Sequence, residues 1–146
     1  MSKGSILLRK AFVEMQKSKP DFRFSFELLT RASERGNSEA IYAIGTWYLH
    51  GTFVKRAPKT AVEYFLKSIE GGHSNAYYDL AVCYETGVGI KKDYKKAFEC
   101  YLNAALLGEK QSLYEIGRCY YYGIGIPKNI PIAEVWLKHA ELNGIA

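Results

Sequence analysis

A chain of 146 residues suits one domain, and 48% hydrophobic with 24% charged residues is ordinary soluble composition, with enough apolar matter for a core. The net charge of +5 is unevenly spread: residues 1–36 hold eight Lys and Arg against four Asp and Glu, and the remainder is near neutral. Three cysteines make an odd count with no C-x-x-C spacing, which argues against a disulfide framework and a metal centre and fits reduced thiols.

The opening stretch MSKGSILLRKAFVEM offers only Ile6, Leu7 and Leu8 as an apolar run before Arg9 and Lys10 interrupt it. That is too short for a signal peptide and far too short for a membrane span, so a cytoplasmic protein is expected. Helices are predicted near 4–15 and 21–35, the second capped by Asp21 after Pro20. The basic charge of this end could meet an acidic partner or nucleic acid, but it is read as a solvated cap, and the Lys91, Lys92, Lys95 and Lys96 run is not read as a nucleic-acid surface.

Further helices are predicted near 38–50, 57–70, 74–86, 93–107, 110–122 and 129–143. The pattern is clearest from His73 to Gly108. Ala76, Leu80, Ala81 and Tyr84 fall at helical spacing, Gly87 can end that helix in the left-handed conformation, and Asp93 can cap the next. Ala97, Tyr101 and Ala104 then mark a second apolar stripe. Sliding this unit by 36 residues lands on Ala40, Ile44, Gly45, Tyr48 and Gly51 upstream and on Ser112, Ile116, Gly117, Tyr120 and Gly123 downstream. The second helices agree too, through Ala61/Ala97/Ala133, Phe65/Tyr101/Leu137, Ser68/Ala104/Ala140 and the closing Gly72/Gly108/Gly144.

Three full units therefore occupy residues 37–72, 73–108 and 109–144, preceded by a degenerate one at 1–36 in which Gly4 replaces the first alanine, Arg9 the small residue and Met15 the glycine. A fixed period in this range signals a solenoid whose hairpins bury their apolar stripes against their neighbours. The predicted fold is all-α, an α/α superhelical solenoid forming a single repeat domain over residues 1–146, with no effector domain or tail attached.

The order A-x-x-x-[L/I]-[G/A]-x-x-Y-x-x-G, a glycine-containing loop, K-A-x-x-x-Y and a final A-x-x-x-G resembles the Sel-1-like repeat, a relative of the tetratricopeptide repeat. The resemblance covers residues 37–144 and implies an adaptor or scaffold without shared chemistry. Secreted, cysteine-rich members of that family staple each hairpin through positions that here are Ala40 with Ser68, Ala76 with Ala104, and Ser112 with Ala140. Cys83 and Cys119 instead share a position with Trp47, and Cys100 shares one with Tyr64 and Trp136, which points to packing.

No nucleophile, zinc or dinucleotide motif is present, His50, His73 and His139 sit at unrelated repeat positions, and neither catalysis nor a cofactor is expected. In tetratricopeptide geometry the first helix of each hairpin lines a concave groove. Mapped here, that lining includes Tyr42, Thr46 and His50, then Tyr78, Val82 and Glu85, then Tyr114, Arg118, Tyr121 and Tyr122, with Glu39, Leu49 and Thr86 beside them. Tyr42, Tyr78 and Tyr114 form a ladder that either contacts a partner or packs between hairpins. Tyr84, of the repeat signature, is expected to lie between helices, while Tyr78 projects from a neighbouring face.

The expected function is non-catalytic binding of another protein through this groove, without nucleic acid or membrane. The concrete version implied by the resemblance is an immunity-type inhibitor of a cognate bacterial effector or toxin. A self-assembling scaffold and a repeat protein with a hidden hydrolase site are the alternatives. The last hairpin has Val135 where earlier units have Glu63 and Glu99, and with Ile132, Trp136, Leu142 and Ile145 it forms an apolar edge expected to pair with a second copy or a partner.

Overall fold

The computed structural model describes residues 3–145, among which the chain forms eight α-helices and no strand. They are α1 (Ser5–Met15), α2 (Phe22–Glu34), α3 (Ser38–His50), α4 (Pro58–Ile69), α5 (Ser74–Thr86), α6 (Tyr94–Leu106), α7 (Gln111–Tyr122) and α8 (Ile130–Leu142). Every predicted helix is present, and each end falls within one residue of expectation. Side-chain caps fix these ends. Asp21, Asn37, Asp93 and Asn129 each accept from the amide three residues on, at 3.0, 2.9, 3.0 and 3.1 Å, a cap worth about 1 kcal/mol.

The first helices of the three later hairpins, α3, α5 and α7, stop on the left-handed glycines Gly51, Gly87 and Gly123. Gly87, at φ 73°, donates its amide to the Cys83 carbonyl at 2.8 Å. The loop then folds back, so that the amides of Ala57, Asp93 and Asn129 donate to the carbonyls of Tyr48, Tyr84 and Tyr120 at 2.8, 2.9 and 2.8 Å. In the second hairpin, Phe53 takes φ 62° where the later loops have Gly89 and Gly125. Its ring lies 5.7 Å from Phe26 and 6.3 Å from Trp47, contacts that offset a backbone cost of about 1–2 kcal/mol.

The structure sorts into two compact units, one ending at His73 with α1–α4, the other beginning at Ser74 with α5–α8. Each closes a core of its own. In the first, two hairpins, α1/α2 and α3/α4, meet through α2 and α3 over Leu28, Leu29, Ala32, Ala40 and Ile44, and Phe22 and Phe26 close around Trp47 at 6.1 and 5.5 Å. In the second, α5/α6 and α7/α8 meet through α6 and α7 over Ala81, Phe98, Tyr101, Ile116 and Cys119. Small residues of the signature permit this closeness. A Cβ on Gly45 would stand 2.7 Å from the Phe65 ring, and one on Gly117 would stand 2.8 Å from Leu137.

The signature tyrosines differ from expectation. Tyr48, Tyr84 and Tyr120 are half-buried, because they sit in the last turn of the first helix, beside the loop that their carbonyls hold. Tyr48 stacks on Tyr64 at 5.6 Å, Tyr120 meets Phe98 edge-on at 5.4 Å, and Tyr84 carries the Lys96 ammonium 5.7 Å from its ring centre. The fully enclosed aromatic of each unit lies instead on a second helix, as Phe65 and Tyr101.

Candidate functional site

In the first unit, Tyr42 is half-buried, its ring 5.6 Å from Phe65 and 4.6 Å from His73. Thr46 turns its hydroxyl inward to donate to the Ala43 carbonyl at 2.7 Å, whereas Glu39 and His50 are exposed. The ladder position here thus serves packing as well as surface. Burial holds His73 below its ordinary pKa, against the pull of Glu39.

The second unit joins its predicted residues into a network. Arg118 donates from Nη2 to Glu85 at 2.7 Å and from Nε to Glu115 at 2.8 Å, tying α7 to α5. The Tyr101 hydroxyl on α6 donates to the same Glu85 at 3.1 Å. Hydrogen bonding to Glu85 raises the Arg118 pKa, and burial followed by Glu85 raises that of Tyr101, so the guanidinium stays charged and the phenol neutral. Arg118 is therefore a braced side chain, three-quarters covered, rather than a loose groove cation. Tyr78 is half-buried, edge-on to Tyr101 at 5.7 Å, and its phenol is pushed up to about 12 by burial and Glu115.

Exposure increases toward the loop end of this face. Val82 and Thr86 are exposed, the Thr86 hydroxyl donating to the Val82 carbonyl at 2.7 Å. Tyr114 is half-buried, whereas Tyr121 and Tyr122 are exposed and meet edge-to-face at 4.9 Å. Tyr114, Arg118 and Tyr121 share one stripe of α7, at helical spacing.

On the terminal hairpin, Val135 and Leu142 are 69% and 74% exposed and Ile132 is exposed, while Ile145 is half-buried. Trp136, expected on the open edge, is half-buried and packs against the core that holds Phe98, Tyr101, Ile116 and Cys119. An apolar groove of about 390 Å³ runs beside it, lined by Leu102, Ala105 and Leu106 of α6, Leu113 of α7 and Val135 of α8. The stacking positions Phe26, Val62 and Phe98 continue as exposed Glu134, and Leu66 and Leu102 continue as exposed Lys138. The apolar surface thus lies between the second helices α6 and α8. Sequence reasoning missed the α6 half; the signal was Leu106, 83% exposed, standing where the previous repeat has Glu70.

Cys83 and Cys119 are buried and Cys100 is half-buried, all as free thiols; burial pushes them up to about 11, about 12 and about 11. Among the described residues there is no cluster of His, Cys, Asp and Glu able to hold a metal, and no helix is long and apolar enough to cross a membrane.

A chain of paired helices repeating every 36 residues, with Ala or Ser packed at Ala40/Ser68 and its equivalents, belongs to the α/α repeat solenoids. The Sel1 repeat model matches residues 16–37, 38–73, 74–109 and 110–144, and the chain belongs to the Sel1 repeat family. The first match takes in α2 but leaves α1 outside, in keeping with a degenerate first unit.

Among solved structures, the chain is similar to a protective antigen of uropathogenic Escherichia coli with an SLR fold (25% identity, TM-score 0.92, 97% of this chain and 31% of that one). It is similar to a Sel1 repeat protein from Oxalobacter formigenes (26%, TM-score 0.91, 97% and 58%). It also shares its fold with Helicobacter pylori cysteine rich protein B (22%, TM-score 0.65, 70% and 77%). The chain thus spans 31% and 58% of the length of the first two. A search of curated proteins returns no significant match. Sel1 repeat proteins generally mediate protein–protein interactions and are typically non-catalytic scaffolds.

Proposed function

We propose that the chain is a non-catalytic module that binds another protein through the surface of its first helices, centred on α5 and α7. The observation that carries this reading is the Tyr121–Tyr122 pair, exposed on α7 one turn beyond an arginine that Glu85 and Glu115 already hold in place. Rigid aromatic rings beside a preordered arginine have hot-spot composition and lose little side-chain freedom on binding. Val82, Tyr78 and Tyr114 extend the surface inward, and Tyr42, Thr46 and His50 occupy the same repeat positions in the first unit.

The concrete form we favour is an immunity-type inhibitor of a cognate bacterial effector, acting in the cytoplasm, where three free thiols are at home. Affinity capture from native lysate followed by co-expression tests it. One stoichiometric foreign protein whose toxicity the chain relieves supports the inhibitor; a foreign protein without toxicity supports binding alone; turnover of a captured molecule contradicts the non-catalytic reading.

A second reading, self-association, is favoured by the α6–α8 groove, where Leu106, Val135 and Leu142 expose apolar surface. Recovery of the chain alone, as an oligomer, supports it.

A further inference from the structure

The first hairpin departs from the repeat where packing is tightest. At the position where Gly45 and Gly117 leave no room for a Cβ, the chain places Arg9, and the facing aromatic Phe65 becomes the smaller Leu29. Arg9 is exposed, and no described residue forms an ion pair with it. Arg9 lines a cavity of about 790 Å³ between α1 and the start of α3, a volume typical of ligand pockets.

The cavity is built from two chemistries. Leu8, Phe12 and Val13 line it from α1, and Phe12 and Val13 are 38% and 56% exposed. Lys3 and Arg9 supply two cations against the carboxylate of Glu39, and Lys10 follows on the helix. Glu14, the one acid of α1, is already engaged by Lys17 at 2.8 Å and the Asp21 amide at 3.0 Å. Asn37 braces the rim. Its Oδ1 caps α3 at the Ala40 amide, and its Nδ2 donates to the Lys3 carbonyl at 2.7 Å, fixing Lys3 beside the opening.

We propose that this cavity is a second binding site, distinct from the α5–α7 surface, for a partner peptide segment that alternates acidic and apolar side chains. The apolar wall of α1 takes the partner's hydrophobic side chains, while Arg9 and Lys3 take its carboxylates. A nucleic acid fits less well: backbone neutralisation calls for a track of cations, whereas this cavity sets two cations beside the apolar wall of Leu8, Phe12 and Val13.

Fluorescence anisotropy with a labelled peptide of alternating glutamate and leucine tests the site. Wild type is expected to bind it saturably and more tightly than the matching lysine–leucine peptide or a single-stranded oligothymidylate. Arg9→Glu with Lys3→Glu is expected to weaken binding roughly tenfold or more. Phe12→Ser, which leaves both cations in place, is expected to weaken it as well, with unchanged circular dichroism in both variants. Tyr121→Ala with Tyr122→Ala is expected to bind this probe like wild type, which separates the site from the α5–α7 surface. Absence of saturable binding, equal or tighter binding of either control, or indifference to the Arg9 and Lys3 changes overturns the proposal.

Discussion

At one repeat position the first unit buries Phe65 and the second buries Tyr101, and the added oxygen is matched by what surrounds it. Tyr101 donates to Glu85, which Arg118 also holds; in the first unit the counterpart of Glu85 is Leu49 and that of Val82, one repeat before Arg118, is Thr46. Charge divides the same way. Up to His73 there are twelve Lys and Arg against seven Asp and Glu, and from Ser74 onward eight against eight. The repeat dictates which positions pack, and each unit then specialises the polar positions left over: a braced ion network in the second, an aromatic cage around Trp47 and a basic face in the first. Swapping residues between equivalent positions probes that difference.

The largest effect is expected where the units agree. Phe65→Ala and Tyr101→Ala should each cost about 3–5 kcal/mol in urea unfolding, as truncations of enclosed aromatics. The exchanges separate the units: Phe65→Tyr buries a hydroxyl opposite Leu49 and should cost about 1–3 kcal/mol, whereas Tyr101→Phe, whose acceptor keeps Arg118, should cost about 1 kcal/mol. Equal costs for the two exchanges would erase the distinction.

Arg118 comes next. Arg118→Ala leaves Glu85 and Glu115 without their cation and should cost about 1–3 kcal/mol, and Arg118→Glu more, since three carboxylates then converge.

Groups with raised pKa values and groups with lowered ones should give the stability an alkaline and an acid limb. Folding favours the neutral forms of Cys83, Cys119 and Tyr78, whose pKa values are pushed up to about 11, about 12 and about 12. Their stabilisation is full below pH 9.0 and is lost as pH rises through that range. In the first unit, His73 is held below 6.5 by burial and Glu14 below 4.5 by Lys17, so their contributions are full at neutral pH and are lost as pH falls. Urea midpoints across pH should fall at both ends, with Cys119→Val flattening the alkaline limb and His73→Phe the acid limb. Limbs unchanged by these variants would detach the pH response from these groups.

The smallest effect on stability is expected at the exposed α6–α8 groove. Val135→Glu with Leu106→Lys should change stability by less than about 0.5 kcal/mol, while light scattering reports whether a wild-type oligomer dissociates. Trp136 is left intact because its ring belongs to the core.

What was legible in the sequence follows from locality. Asp21 and Asp93 declare helices that start at the next residue, each holding the amide three residues on, and Gly45 and Gly117 recur with the period because a second helix lies on them. The Glu85 to Arg118 contact joins residues 33 apart and occurs once, so no register reveals it. Phe53 hides its left-handed backbone because its support comes from Phe26 and Trp47. The exposure of Tyr84 depends on where the hairpin opens, which spacing alone does not encode.

The central claim, that the α5–α7 surface holds the partner, is tested most directly by calorimetric titration of the captured partner against wild type, Tyr121→Ala with Tyr122→Ala, and Val135→Glu with Leu106→Lys. The account predicts that the tyrosine pair costs more than about 2 kcal/mol of affinity while both variants melt like wild type and the groove variant binds unchanged. Full affinity in the tyrosine variant, with binding lost in the groove variant, would contradict it.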